Sequence, residues 1–176
     1  EMTARKLWTH QRLLTLTGIG YEPFGRLICN GETVSPAPAE IALLQAATLA
    51  SDATLTTAGG GRAGIQGDPT EGALVVAAAK AGLHRAELER RLPRIGEIPF
   101  ASEARRMTTL HRAEDGRIVA CSKGAVEVLL GDCATLLTEH GERPLEADER
   151  VLILEQTHRL AAQALRVLAV ATKDPT

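Results

Sequence analysis

Four places along the 176-residue chain carry side chains with chemistry to offer. Asp68-Pro69-Thr70-Glu71 sets two carboxylates at a predicted helix start, directly after a glycine-rich stretch. Asp68 suits the N-cap, Pro69 the first helical position, and Glu71 the reciprocal partner of a capping box. Capping alone accounts for both acids, yet a carboxylate beside backbone donors also suits a polar ligand edge such as a purine amino group. Phe100 follows Pro99 and precedes the polar, basic stretch at 101–106, so it stands where a strand leaves the core. There it either packs inward or offers a platform to a flat base, a stack worth ~1–3 kcal/mol in single-strand complexes. Lys123 closes an apolar strand and is followed by the small Gly124 and Ala125, a turn at which a ligand can approach the backbone. Arg166 precedes the apolar run 167–171, where a long cation must reach water, an acid or a phosphate.

Other chemistries are missing. The sequence has no GxSxG, no HExxH and no phosphate loop ending in Gly-Lys-Ser/Thr. Cys29, Cys121 and Cys133 form no CxxC pair and leave an odd thiol, which fits a reducing compartment better than a disulfide framework or a zinc site. The five histidines show no metal-ligand spacing. Residues 59–64 do satisfy GxGxxG, the dinucleotide fingerprint, but that pattern needs a buried strand before it and a helix opening inside it. Residues 53–58 are polar and Pro69 comes too late. A dinucleotide-binding oxidoreductase fragment using residues 59–64, from Gly59 to Gly64, is therefore the second reading, and a non-catalytic interaction module the third.

The elements that must position these residues follow from composition and periodicity. A chain with 44% hydrophobic and 24% charged residues and a net charge of −2 is ordinary for one globular domain and lacks the basic face that nucleic acid requires. Its apolar runs fall far short of the ~18 residues of a membrane span. With aromatics only at Trp8, Tyr21, Phe24 and Phe100, the core must be aliphatic.

Residues 3–17 read as one or two strands, followed by a loop punctuated by Gly18, Gly20, Pro23 and Gly25. Ile41, Leu44, Thr48 and Leu49 predict a helix ending near Ser51. Residues 54–67 hold five of the sixteen glycines and predict a mobile loop. A helix then runs from the Asp68 cap to about Ala81, and a short one over 85–91 ends at Pro93.

Asp115-Gly116 suits a tight turn between strands at 106–112 and 117–122. Counting back from that turn sets Lys123 opposite about Thr108 and gathers Phe100, Arg105 and Lys123 at one end of the ladder. A last helix over 147–162 carries Val151, Leu154, His158, Ala161 and Leu165 at helical spacing, which makes His158 a packed residue. Residues 165–171, apolar on both faces, read as an interior strand.

At these same places the chain resembles the nucleotide-binding domain of P-type ATPases, cation pumps that pass through an aspartyl-phosphate. Four ordered signatures carry the resemblance: GDPTEGAL at 67–74, IPFASEARRMTTL at 98–110, KGAVEVLL at 123–130 and LRVLAVA at 165–171. The opening EMTARKLW is similar to the stretch just after the family's phosphorylation loop, so the likeness spans essentially the whole chain.

The resemblance implies an α/β (α+β) fold, an antiparallel β-sheet flanked by helices. It implies that residues 1–176 form one nucleotide-binding domain excised from a larger multidomain membrane pump. The ligand would be ATP, accompanied by Mg²⁺ held mainly by the nucleotide and a separate domain. Phe100 would stack on adenine; Glu71, with Asp68 as second candidate, would be the acid near its amino edge. Lys123 would line the base of the pocket, and Gly124 and Met107 from the same motifs would also be nucleotide-binding. Arg105, where relatives often carry Lys, and Arg166 would reach the phosphates. Val126 replaces the proline common in KGAPE, and Ala104 stands where some calcium pumps carry another Arg, so fewer phosphate contacts are expected.

The DKTGT loop whose Asp is phosphorylated does not occur in these residues, so the segment is not expected to be active alone. Its partners would be the phosphorylation and actuator domains of the same chain, on the cytoplasmic side of an integral membrane protein, with no contact to the membrane itself or to nucleic acid. No His precedes a Pro, which favours the calcium and sodium/potassium pump subfamily over the heavy-metal pumps.

Overall fold

A computed structural model of the chain describes residues 1–10, 12–57 and 59–174. The first four strands, β1 (Lys6–Thr9), β2 (Arg12–Leu16), β3 (Leu27–Cys29) and β4 (Glu32–Val34), form an antiparallel meander in chain order. Helix α1 (Pro38–Leu49) follows, then a hairpin of β5 (Thr54–Thr57) and β6 (Ala63–Gln66), then helices α2 (Pro69–Lys80) and α3 (Arg85–Arg91). Next come β7 (Arg94–Ala101), β8 (Arg106–Arg112), β9 (Ile118–Gly124) and helix α4 (Val126–Asp132). The chain continues with a small hairpin of β10 (Thr135–Thr138) and β11 (Gly141–Pro144), helix α5 (Ala147–Ala161) and β12 (Ala169–Lys173). The second four-stranded sheet has the order β12-β9-β8-β7, every neighbour antiparallel. This is the expected class, antiparallel sheets with flanking helices.

Helix α1 explains how the two sheets share one body. Its sequence, PAEIALLQAATL, is apolar nearly all round, as a helix buried on several sides must be. Leu44 joins Leu7, Leu14, Leu16, Leu27, Ala77 and Ala78 in a core between the first sheet and α2. Ala46, Leu49 and Ala50 join Leu88 and Cys121 in a second core between α3 and the second sheet. Small alanines let the neighbouring backbones come close, which suits a chain with so few aromatics.

Several expectations need correction. Residues 54–57 and 63–66 are not a loop but the paired strands β5 and β6: Gly59, Gly60 and Gly61 lie between them, Gly60 and Gly61 at positive φ, and Ile65 packs down onto Gly72 of α2. Two short strands, β3 and β4, extend the first sheet beyond the one or two expected. Val151 and His158 are exposed rather than packed, because α5 lies against α4 and presents most of its length to water. Residues 165–171 are not an interior strand: β12 starts only at Ala169, sits at the sheet edge and is half-buried to exposed. Arg166 consequently lies before a half-buried edge strand and is itself exposed. No helix among the described residues is long and apolar enough to cross a membrane.

Candidate functional site

The second sheet brings most of the sequence-predicted residues to one end of its ladder. Arg106 pairs with Gly124, and Met107 with Lys123, so Lys123 stands opposite Met107 and not Thr108. The one-residue difference reverses the face, because side chains alternate along a strand. Met107, Thr109, His111, Cys121 and Lys123 all point inward and are buried, while Thr108 and Ser122 meet through their hydroxyls on the other face.

The strand β7 reaches the same end with an irregularity. Ile98 pairs with Thr108 and Ala101 with Arg106, so Pro99 and Phe100 together oppose the single Met107. An extra residue of this kind bends the strand and re-aims a side chain, and Pro99 suits it because a proline has no N–H to give to the ladder. Phe100 is thereby set beside Met107 with 62% of its surface exposed. The ring is open to a ligand and not sealed in the core.

Below Met107 lies a buried polar knot. Lys123, 8% exposed, donates from its ammonium to Glu71 Oε1 at 2.6 Å and to the carbonyl of Ala50, and contacts Met107 Sδ at 3.4 Å. Glu71 Oε2 accepts the amides of Asp52 at 2.8 Å and Ala53 at 3.1 Å. Glu71 therefore does not complete a capping box with Asp68. The helix start is capped by Asp68 alone, whose Oδ1 accepts the amides of Thr70 and Glu71, and the glutamate is drawn instead toward a cation on the sheet. Gly67, at φ +116°, makes the approach to this helix possible: a Cβ there would come within 2.9 Å of Ala53 Cα.

Two further cations stand around this end. Arg166 Nη1 donates to Thr70 Oγ1 at 3.3 Å, which holds an exposed guanidinium at the first turn of α2. Arg105 takes a left-handed backbone (φ 48°) in the β7–β8 turn and pairs with Glu127 at 2.7 Å, both half-exposed. Glu127 is held below the usual carboxylate range by its own backbone amide and by that guanidinium. Gly124 is where the turn meets β9: the amide of Ala125 donates to Arg105 O, and a Cβ on Gly124 would lie 2.4 Å from that oxygen. Asp68, Glu71, Met107, Lys123, Gly124 and Arg166 are thus linked by direct contacts or adjacent pairs, with Phe100 and Arg105 at the same strand ends. The role of the segment 49–53 was not visible beforehand, because its contribution is made by backbone groups.

Residues 59–64 do not meet the dinucleotide pattern, since they turn a hairpin and no helix opens within them. A depression of about 310 Å³ lined by Arg91, Leu92, Ala113, Glu114 and Asp115 lies at the turn end of β8–β9, the far end of the ladder from Lys123. Among the described residues no group of three or more His, Cys, Asp or Glu is placed to hold a metal ion.

Comparison with known proteins follows the same lines. The family described as "P-type ATPase, cytoplasmic domain N" matches residues 40–176. The chain is 40% identical over 173 residues to the "Probable cation-transporting ATPase F" of Mycobacterium bovis, covering 96% of this chain and 19% of that protein. It is 38% identical over 181 residues to the "Cation-transporting ATPase pma1" of Synechocystis, covering 98% and 19%. It is 32% identical over 178 residues to the human "Calcium-transporting ATPase type 2C member 1", again covering 98% and 19%. The chain therefore spans about a fifth of the length of these relatives.

Proposed function

The chain belongs to the P-type ATPase cytoplasmic N-domain family, and on that premise we propose that it holds ATP by the adenine and presents the γ-phosphate to an aspartate in a separate phosphorylation domain. The observation that carries this reading is the exposed Phe100 on the β7 bulge, opposite the Met107 whose sulfur contacts the Lys123 that pairs with Glu71. Adenine stacks on Phe100 with Met107 and Lys123 beneath it. A carboxylate has about four acceptor positions; Glu71 fills three, and the one left on Oε1 accepts the adenine amino group. Asp68 stays the helix cap at the rim of the same pocket.

The phosphates run toward Arg105 and Arg166. Phosphoryl transfer depends mostly on alignment and charge neutralisation, so a domain that only positions the nucleotide contributes to the rate without supplying nucleophile or metal ligand. Mg²⁺ rides on the nucleotide and is held mainly by the phosphorylation domain. In the full pump this one domain, residues 1–176, works with phosphorylation and actuator domains of the same chain, and ATP hydrolysis drives cation transport; alone it is inactive.

Titrating the ¹⁵N-labelled chain with ATP tests this. Amide signals around Glu71, Phe100, Lys123 and Arg166 are expected to shift, and Phe100→Ala to weaken binding by ~1–3 kcal/mol, the value of one stacked base. Shifts confined to residues 59–64 would return the dinucleotide reading. No saturable response at millimolar ATP would leave an interaction module.

A further inference from the structure

The geometry points to Arg94 as a positioning residue for purine recognition: it touches no nucleotide, yet it fixes the backbone that aims Glu71. This rests on the ATP reading given above.

The end of α1 carries the argument. A helix C-terminus leaves its last carbonyls without partners and concentrates partial negative charge there. Here side chains from three other elements collect the carbonyls of its last residue, Leu49, and of the turn that follows it. From the start of β7, Arg94 Nη2 donates to Leu49 O and Ser51 O, both at 2.9 Å, and Nη1 reaches Asp52 Oδ1 at 2.6 Å and Glu97 at 3.0 Å. From α3, Arg85 Nη1 donates to Ser51 O at 2.6 Å and Ala53 O at 2.8 Å. From β9, Lys123 donates to Ala50 O. Every carbonyl of residues 49–53 except that of Asp52 is thus claimed by a cation from another element.

This corner faces the site with its donors. The amides of Asp52 and Ala53 are the two groups that hold Glu71 Oε2. The direction of those two N–H bonds sets the rotation of the carboxylate, and with it the direction of the free acceptor position on Oε1. Arg94 and Arg85 both grip Ser51 O, the carbonyl of the peptide unit that carries the Asp52 amide, and of the two Arg94 also holds Leu49 O, which ties that unit back to the end of α1. Its Nη2 holds both carbonyls and its Nη1 the neighbouring carboxylates, and its side chain is only 22% exposed. A guanidinium can make these bonds at once because its donors lie in a fixed plane; an ammonium cannot. The pair with exposed Asp52 is a surface ion pair of small value by itself, so the two carbonyl bonds and not the salt bridge carry the effect.

A positioning role predicts a loss of discrimination, which a general loss of stability does not. A carboxylate only accepts hydrogen bonds, so a correctly aimed Glu71 favours the amino group of ATP over the carbonyl of GTP. The test is calorimetric titration of the 176-residue chain with ATP and, separately, GTP, for the parent, Arg94→Met and Arg94→Lys, with the Asp52 and Ala53 amides followed by NMR. The parent is expected to prefer ATP. Arg94→Met is expected to weaken ATP several-fold while GTP changes little, so the ratio falls toward one; the Asp52 and Ala53 signals move before any ligand is added. Arg94→Lys is expected to fall between the two, and it carries the test alone if Arg94→Met does not fold. An unchanged ratio in Arg94→Lys, or ATP and GTP falling together, overturns the inference while leaving the nucleotide reading intact. A parent that binds ATP and GTP equally also overturns it. A parent that binds no ATP overturns the nucleotide reading, and this inference with it.

Discussion

At the scale of single residues, the pair between Lys123 and Glu71 is the most demanding feature of the molecule. Their side chains are 10% and 13% exposed, and the ion pair is 2.6 Å long. Burying two charges is costly, and the cost is recovered only when both remain together and fully hydrogen-bonded. Removing one partner therefore hurts more than removing both. Lys123→Met is expected to destabilise the chain by ~3–5 kcal/mol, whereas Lys123→Met combined with Glu71→Leu recovers most of that loss. Urea unfolding of the two singles and the double decides it: additive losses would mean that the pair is not coupled. The sequence singled out Lys123 as a cation beside a small-residue turn, but its partner lies 52 positions away. Nothing in the local spacing of either residue points to the other, so a cation expected to line the base of a pocket is in fact already bound by the acid expected to read the ligand.

At the scale of elements, the end of the β8–β9 ladder depends on one close backbone approach. With Arg105 O only 2.4 Å from where a Gly124 Cβ would stand, Gly124→Ala must push the β7–β8 turn away from β9. A stability loss of ~1–3 kcal/mol is expected, as for other overpacked sites, together with weaker ATP binding; unchanged thermal unfolding would show that the turn yields freely. What the sequence disclosed at this scale was local. The α2 and α3 helices and the β8–β9 hairpin were legible because their caps, prolines and turn residues lie inside them. The register was off by one for a physical reason. A two-residue turn at Asp115-Gly116 would place Lys123 opposite Thr108, but Arg112 pairs with Ile118 across a five-residue loop in which the Ala113 amide donates to Arg117 O. The β7 bulge was likewise hidden, although Pro99 marks a place where the ladder can be broken. Short elements such as β3, β4, α4, β10 and β11 are too brief to show a period and are stabilised by what they pack against.

At the scale of the whole molecule, α1 joins two cores, and a buried histidine sits beside its end. His111 is 0% exposed, with Nδ1 2.9 Å from Leu92 O and Nε2 2.8 Å from Thr109 Oγ1, which itself reaches Leu49 O at 3.2 Å. Burial holds its pKa below the ordinary 6.5; nearby Arg94 and Arg85 add to the depression, while the Leu92 carbonyl and Glu89 oppose it. The unfolded chain therefore takes up a proton near pH 6.5 that the folded chain refuses. This contribution to stability is complete above that pH and is lost as pH falls toward the folded value. In His111→Gln the stability deficit relative to the parent is expected to shrink between pH 7 and pH 5, as read by urea unfolding at each pH; a deficit that does not vary with pH would remove His111 from the acid response.

The two basic groups of the site differ in how firmly they are held. Lys123 is locked into the body of the domain, but Arg105 leans on Glu127 through a half-exposed pair, a contact worth ~0–1 kcal/mol at most. In the ATP complex proposed above, the triphosphate takes the guanidinium from Glu127 at little cost and hands it back on leaving. The proposed ATP complex thus pairs a rigid seat for the base with a detachable hand for the charged tail, the division of labour expected of a carrier that must deliver its cargo and let go.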